Sequence, residues 1–327
     1  MLDDLEGFSG AVRVDRGGVT LFATARGLAD RAAGVANTLG TRFGIASATK
    51  GFTALVVMSL VEDGTLSLDT SARKVLGDDL PLIGPDVTVE HLLAHRSGIG
   101  DYFDEDLDGD ITDFVLTAPV HELGETEDYL KVLGGFPAKF APGERFSYCN
   151  SGYVVLALIA ERVAGVPFRD LVARRVTGPA GMTATGFPRS DELPAGAARG
   201  YLHGAGSDRT NVFHLPVRGS GDGGAYSTVA DLSALWTALF AGRIVPTARV
   251  AEMIRPRSVA TEGDRRYGLG FWLAGSGPAV SLEGYDAGVS FRSVHDPSAA
   301  LTWTVVSNSS DGAWPVARRL AQRLAES

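Results

Sequence analysis

Residues 9–27 are rich in valine, leucine and threonine on either side of Arg16-Gly17-Gly18, a pattern that predicts two strands joined by a tight turn. From Ser47 the pattern changes: SATKGFTALVVMSLVEDGTL places apolar residues on most faces of a helix and stops at Asp63-Gly64, where glycine can take the left-handed conformation that closes it. This predicts a largely buried helix with its N-terminus at Ser47. Between residues 70 and 194 helical patterns alternate with loops rich in glycine, proline and aspartate, and clean strand alternation is scarce. Within that stretch residues 88–95 predict a short helix stopped by RSGIGDY, and residues 151–165 a strongly apolar helix closed by a glycine. After Pro194 strand signals return at 265–274, 279–296 and 300–309, with a helix at 227–242 ahead of them and an amphipathic helix at the end. Strands near both ends predict one antiparallel sheet assembled from the two. The fold class is α/β, with a discontinuous sheet domain of residues 1–70 and 196–327 and a mainly helical domain of residues 71–195 inserted into it.

Composition adds limits to this picture. The 327 residues are 45% hydrophobic and 21% charged, enough apolar material for a sizeable core. The net charge of −9 arises from acids spread along the chain, with a cluster at Asp101, Asp104, Glu105, Asp106, Asp108 and Asp110. Basic pairs such as Arg174-Arg175 and Arg265-Arg266 are short and scattered, so the stripe that binds a phosphate backbone is missing and nucleic acid is not an expected partner. The single cysteine, Cys149, excludes an internal disulfide and a cysteine-rich zinc site and fits a reducing compartment. The first residues lack a basic and apolar leader pattern, and no run approaches the ~20 apolar residues of a membrane span. The expectation is a soluble, cytoplasmic protein with no membrane partner; oligomeric state is not readable.

Ser47 and Lys50 lie three apart, so the lysine can reach the serine hydroxyl within one helical turn. At a helix N-terminus, unpaired N–H groups and the positive end of the dipole favour a developing oxyanion. A partly buried lysine binds its proton less tightly and can then take the serine proton. The pair alone does not decide, since a serine at a helix start is commonly an N-cap. The segment FSYCNSGY at 146–153 offers Tyr148 as a proton relay and Asn150 as an amide donor to a substrate carbonyl, although the same residues could cap a core and the next helix.

Taken together, Ser47-Ala48-Thr49-Lys50 and Tyr148-Cys149-Asn150 resemble two motifs of the serine β-lactamase and penicillin-binding protein superfamily. The branch is that of class C β-lactamases, D-Ala-D-Ala carboxypeptidases and related esterases. The blocks VEHLLAHRSGIGDY, FAPGERFSYCNSGYVVLALIAERVAG and GGAYSTVADLSALWTAL are similar to that branch too, and the resemblance extends over residues 8–325. It implies a β-lactamase/transpeptidase-like fold: an antiparallel sheet from both termini flanked by helices, an inserted helical lobe, and a cleft between them. It also implies a serine hydrolase without a cofactor or metal. Ser47 would attack an ester, amide or lactam carbonyl, Lys50 and Tyr148 would share the proton transfers, Asn150 would contact Lys50 or the substrate, and water would hydrolyse the acyl-enzyme.

The family's third motif, Lys-Thr-Gly or His-x-Gly on the strand lining the cleft, lacks its lysine or histidine here. The matching stretch is SLEGYDAGVSFRS at 281–293, with the motif at Gly284-Tyr285-Asp286 counting back from Phe291, or at Glu283-Gly284-Tyr285 with one inserted residue. One oxyanion donor is expected from the Ser47 N–H and the other from an N–H between Asp286 and Gly288. Tyr285, Asp286 and Gly288 therefore join Asn150 as candidate substrate-binding residues. Glu283 and Asp286 would repel a substrate carboxylate, which favours small esters or amides, including those of D-amino acids and short peptides, over strong β-lactamase activity. Arg292 would reverse this if it pointed into the cleft.

Other patterns point elsewhere. Gly219-Ser220-Gly221-Asp222-Gly223-Gly224 fits G-x-G-x-x-G, but it sits late and lacks a βαβ context, so a glycine-rich loop at the cleft edge is the better reading. His91 and His95 are four apart on a helix, without the HExxH order or a clear third ligand. No Gly-x-Ser-x-Gly elbow exists, and Cys149 reads as a small residue filling its motif rather than a nucleophile. The alternative from another class is a non-catalytic, penicillin-binding-like or regulatory protein that has kept the fold.

Overall fold

The computed structural model describes residues 5–106, 109–202, 208–259 and 265–326; Asp108 of the acidic cluster lies outside them. Strands β1 (Gly10–Arg16) and β2 (Val19–Arg26) form the opening hairpin. Its turn needs both glycines, because Gly17 and Gly18 have φ of 57° and 81°. Two small ladders follow, β3 (Leu28–Asp30) with β4 (Val35–Ala36), and β5 (Phe43–Gly44) with the distant β6 (Tyr226–Ser227). The C-terminal strands are β7 (Ser258–Val259), β8 (Arg266–Tyr267), β9 (Trp272–Leu273), β10 (Val280–Asp286), β11 (Val289–Asp296) and β12 (Leu301–Ser307). They join the hairpin in one antiparallel sheet of order β2-β1-β12-β11-β10-β9-β8-β7, with Ala11 opposite Val306 and Val12 opposite Val305. The stretch 265–274, expected as one strand, is two short ones. They pair with each other antiparallel, Arg266 opposite Leu273 and Tyr267 opposite Trp272, because the chain turns back between them: Gly268 N–H donates to the Phe271 carbonyl at 3.0 Å and Gly270 takes φ 90°.

The helices are α1 (Thr49–Glu62), α2 (Ala72–Leu76), α3 (Val89–Leu93), α4 (Leu130–Leu133), α5 (Asn150–Ala164), α6 (Phe168–Val172), α7 (Gly178–Ala180), α8 (Val229–Phe240), α9 (Thr247–Met253) and α10 (Ala313–Ala325). Alternation along the strands divides the core. Ala11, Val306, Leu282 and Phe291 belong to a large apolar cluster with residues of α1, α5 and α8, whereas Val12, Val14, Trp303 and Val305 pack under α10 against Val316 and Leu320. Among the described residues no single helix is long and apolar enough to cross a membrane.

α1 is buried from Thr49 to Leu60, which explains its apolar residues on every face. It lies hard against the sheet: a Cβ on Gly51 would come 2.5 Å from Leu282. Helical bonding does not begin at Ser47, as expected from sequence, but at Thr49, after a 3₁₀ turn over Ala46–Ala48. The chain enters that turn through Ala46 at φ 45°, pinned by Ile45 N–H to the Ala225 carbonyl at 2.9 Å and by Thr49 Oγ1 to the Ala46 carbonyl at 2.7 Å. Those anchors fix a tighter turn than an α-helix would have.

Candidate active site

Lys50 is 2% exposed, and the three N–H donors of its ammonium meet three acceptors. Nζ lies 2.9 Å from Ser47 Oγ, 2.7 Å from Asn150 Oδ1 and 2.8 Å from the Asp222 carbonyl. The sequence left Asn150 to contact either Lys50 or the substrate, and the structure has the contact to Lys50. Its amide nitrogen is already engaged, donating to the Phe103 carbonyl at 2.8 Å and Glu105 Oε1 at 3.0 Å. Asn150 is also the first residue of α5, whose opening N–H groups are capped from outside: Asn150 and Ser151 N–H donate to the Asp101 carboxylate at 2.7 and 2.8 Å. Burial lifts the Asp101 pKa to about 6 against those two hydrogen bonds.

Tyr148 closes the other side. Lys50 Nζ is 4.9 Å from the centre of its ring. Burial, then the Glu105 carboxylate, push the phenol well above its ordinary pKa, while a hydrogen bond with Ser47 pulls it back in part. Tyr148 is thus a neutral phenol near neutral pH, suited to passing a proton rather than to standing as a phenolate base. Ser47 and Tyr148 open onto a cavity of about 480 Å³ walled by Phe146, Trp272, Tyr285 and Trp314 and edged by Glu105, Asp106, Arg265 and Glu283.

β10 brings Gly284 against the Ser47 turn, where a Cβ would stand 2.0 Å from the Ile45 carbonyl oxygen. Tyr285, 41% exposed, lines the Ser47 cavity. Asp286 lines a smaller cavity instead, with Asp222, Tyr102 and Tyr226. Gly288 is the hairpin turn at φ 73°, packed on Gly200, and its N–H donates to Ser310 Oγ at 2.9 Å. Ala287 N–H is likewise engaged, by Asp286 Oδ1 at 2.9 Å. Two of the N–H groups considered for the oxyanion are therefore already used. The expected repulsion by Glu283 also needs correction: Arg265 Nη2 lies 2.7 Å and Arg292 Nε 3.2 Å from its carboxylate. Arg292 is not among the residues lining the Ser47 cavity, whereas Arg265, stacked 3.9 Å from the Trp272 ring centre, is. Asp222, whose carbonyl accepts from Lys50, and Arg265, Trp272 and Trp314, which line the Ser47 cavity, were missed as site residues from sequence, because each reaches the site only through long-range packing.

The remaining sequence candidates have structural uses. In the glycine-rich loop, Gly221 presses on the Tyr153 carbonyl and its own carbonyl accepts from Thr53 Oγ1 at 2.6 Å, so the loop wedges between α1 and α5. His91 completes a capping box with Thr88 at the start of α3, and His95 is fully buried among aromatic rings. Cys149 is buried, and desolvation pushes its thiol well above the ordinary range, which makes it a poor nucleophile.

A large antiparallel sheet flanked by helices defines an α/β protein of the β-lactamase/transpeptidase fold. The family model described as Beta-lactamase matches residues 3–326, and the chain belongs to that family. Among solved structures, it is similar to a penicillin-binding protein from Bacillus halodurans at 37% identity and a TM-score of 0.88, covering 96% of each chain. It is also similar to the D-amino acid amidase of Ochrobactrum anthropi, at 26% identity and a TM-score of 0.75 over 93% of this chain and 87% of that one. Among curated relatives, Esterase EstB of Burkholderia gladioli is 36% identical over 180 residues, 53% of this chain and 45% of its own. The chain spans 45–63% of the length of the first curated relatives it matches.

Proposed function

We propose that the protein is a serine hydrolase that forms an acyl-enzyme on Ser47 and cleaves a small ester or amide. The observation that carries this reading is Lys50 Nζ at 2.9 Å from Ser47 Oγ, at the edge of an aromatic-walled cavity. As a neutral amine, Lys50 would keep Asn150 Oδ1 and the Asp222 carbonyl on its two N–H bonds and turn its lone pair to the Ser47 hydroxyl. Ser47 Oγ then attacks the carbonyl carbon while its proton passes to Lys50. Tyr148, a neutral phenol beside Ser47, gives its proton to the leaving group and takes in exchange the one held by Lys50, so both groups are neutral again in the acyl-enzyme. We assign the oxyanion to the N–H groups of Ser47 and of Tyr285, which follows Gly284 at the contact between β10 and the Ser47 turn. Water, activated in reverse by the same groups, releases the acid.

The named activities of relatives, an esterase and a D-amino acid amidase, support the choice of esters and amides, D-aminoacyl amides included. Arg265 offsets the charge of Glu283, while Glu105 and Asp106 still edge the cavity and weigh against an anionic substrate. Penicillin-like lactams, which carry a carboxylate, are therefore the weaker substrate class beside neutral esters and amides. The test is a panel of p-nitrophenyl esters, D-aminoacyl p-nitroanilides and a chromogenic cephalosporin, with chromophore release and intact protein mass followed for wild type and Ser47→Ala. We expect turnover and an acyl mass adduct that both vanish in Ser47→Ala; turnover unchanged in that variant would remove Ser47 as the nucleophile.

A further inference from the structure

α3 closes in a Schellman motif: Arg96 N–H donates to the His91 carbonyl at 2.8 Å and His95 N–H to the Leu92 carbonyl at 3.3 Å. The left-handed position of that motif, which glycine fills without strain, is held by His95 at φ 54°, with no solvent exposure. Its contacts show what a side chain at this position does. Ser147 N–H donates to the His95 carbonyl at 2.9 Å and Cys149 N–H to His95 Nδ1 at 3.0 Å, so one residue holds the backbone on both sides of Tyr148. The imidazole also lies on the Tyr148 ring, with centroids 4.3 Å apart, and Trp272 lies parallel to the same phenol at 6.1 Å. An accepting Nδ1 assigns the proton to Nε2, which has no hydrogen-bond partner among the described residues; Tyr153 and Tyr267 pack against the ring at 4.9 and 4.8 Å. Burial, reinforced by the charge on Lys50, keeps this imidazole neutral.

We infer that His95 is a positioning residue that fixes both the backbone and the ring plane of Tyr148 beside Ser47. The inference rests on the role proposed above for Tyr148, and the two are tested apart. His95→Leu fills the space without an acceptor; His95→Asn keeps an oxygen near Nδ1 and tolerates the left-handed backbone, so it preserves the test if the leucine variant does not fold. Both are measured alone and combined with Tyr148→Phe, by kcat and KM on p-nitrophenyl butyrate and by Tm. We expect His95→Leu to lower kcat by about 10²-fold with KM within about twofold, and His95→Asn to recover about tenfold of that loss. On the Tyr148→Phe background His95→Leu should cost nothing further. Wild-type kcat in both His95 variants while Tyr148→Phe is disabled, or an equal further loss on that background, would overturn the inference. Full turnover by Tyr148→Phe alone would overturn the reading of Tyr148, and the inference with it.

Discussion

At the scale of single residues, the candidate site turns on how Lys50 shares its protons. Three acceptors surround Nζ, and two of them, Asn150 Oδ1 and the Asp222 carbonyl, are fixed in the buried interior. Only the Ser47 hydroxyl can reverse its role and become a donor. This geometry predicts that charge alone is not enough. Lys50→Arg keeps a cation but cannot release a proton near neutral pH, so it should lose as much as Lys50→Ala, about 10²–10⁴-fold in kcat on an ester the wild type turns over. If the arginine variant keeps most of the activity, Lys50 acts as an electrostatic support and not as a base. The Ser47–Lys50 pairing was legible in sequence because it is local, one turn of one chain segment. Asp222 and Arg265 were not, since no spacing rule reports which carbonyl or guanidinium arrives from elsewhere in the fold.

At the scale of elements, the meeting of β10 with the Ser47 turn decides the site. The sequence marked this strand but left its register open, because counting back from Phe291 puts the motif at Gly284-Tyr285-Asp286 and one inserted residue puts it at Glu283-Gly284-Tyr285. The contacts that fix it are tertiary: Gly284 touches the Ile45 carbonyl, and Gly288 makes the hairpin turn against Gly200. Alanine at either position should therefore act differently. Gly284→Ala forces the Ser47 turn away from the strand, and we expect a loss of about 1–3 kcal/mol together with a fall in kcat of the folded protein. Gly288→Ala is strained by its positive φ and should lower Tm while leaving kcat near wild type. Thermal unfolding and ester kinetics on both variants check this; equal effects on kcat would place the critical approach elsewhere. The same reasoning explains why the opening hairpin and the long apolar helices were readable and the fold-back within residues 265–274 was not: periodicity reports burial along an element, whereas Gly268 and Gly270, at the turn between β8 and β9, also answer to Met253 and Ala54, distant in sequence.

At the scale of the whole molecule, two apolar clusters on opposite faces of the sheet hold both ends of the chain, and buried carboxyl groups lie along the cleft side of that frame. Half-buried Asp286, at the end of β10, is the carboxyl on that side whose titration is displaced furthest into the neutral range. It has no salt-bridge partner among the described residues and lines a cavity of about 70 Å³ with Asp222; its one backbone hydrogen bond, from Ala287, is local. Burial, offset in part by that bond and reinforced by the Asp222 charge, raises its pKa from 3.8 to about 7. The folded chain therefore binds this proton more tightly than the unfolded one. Linkage then makes the group's contribution to stability greatest below the unfolded value of 3.8 and lost as pH climbs from there to about 7. Asp286→Asn keeps an acceptor for Ala287 N–H and removes the titration. The variant should melt above wild type at pH 8, and the gap should shrink steadily toward pH 4. Tm measured across that range by calorimetry checks it, and a gap that is constant or widens on acidification would mean that Asp286 is held as a stabilised carboxylate rather than as a protonated acid.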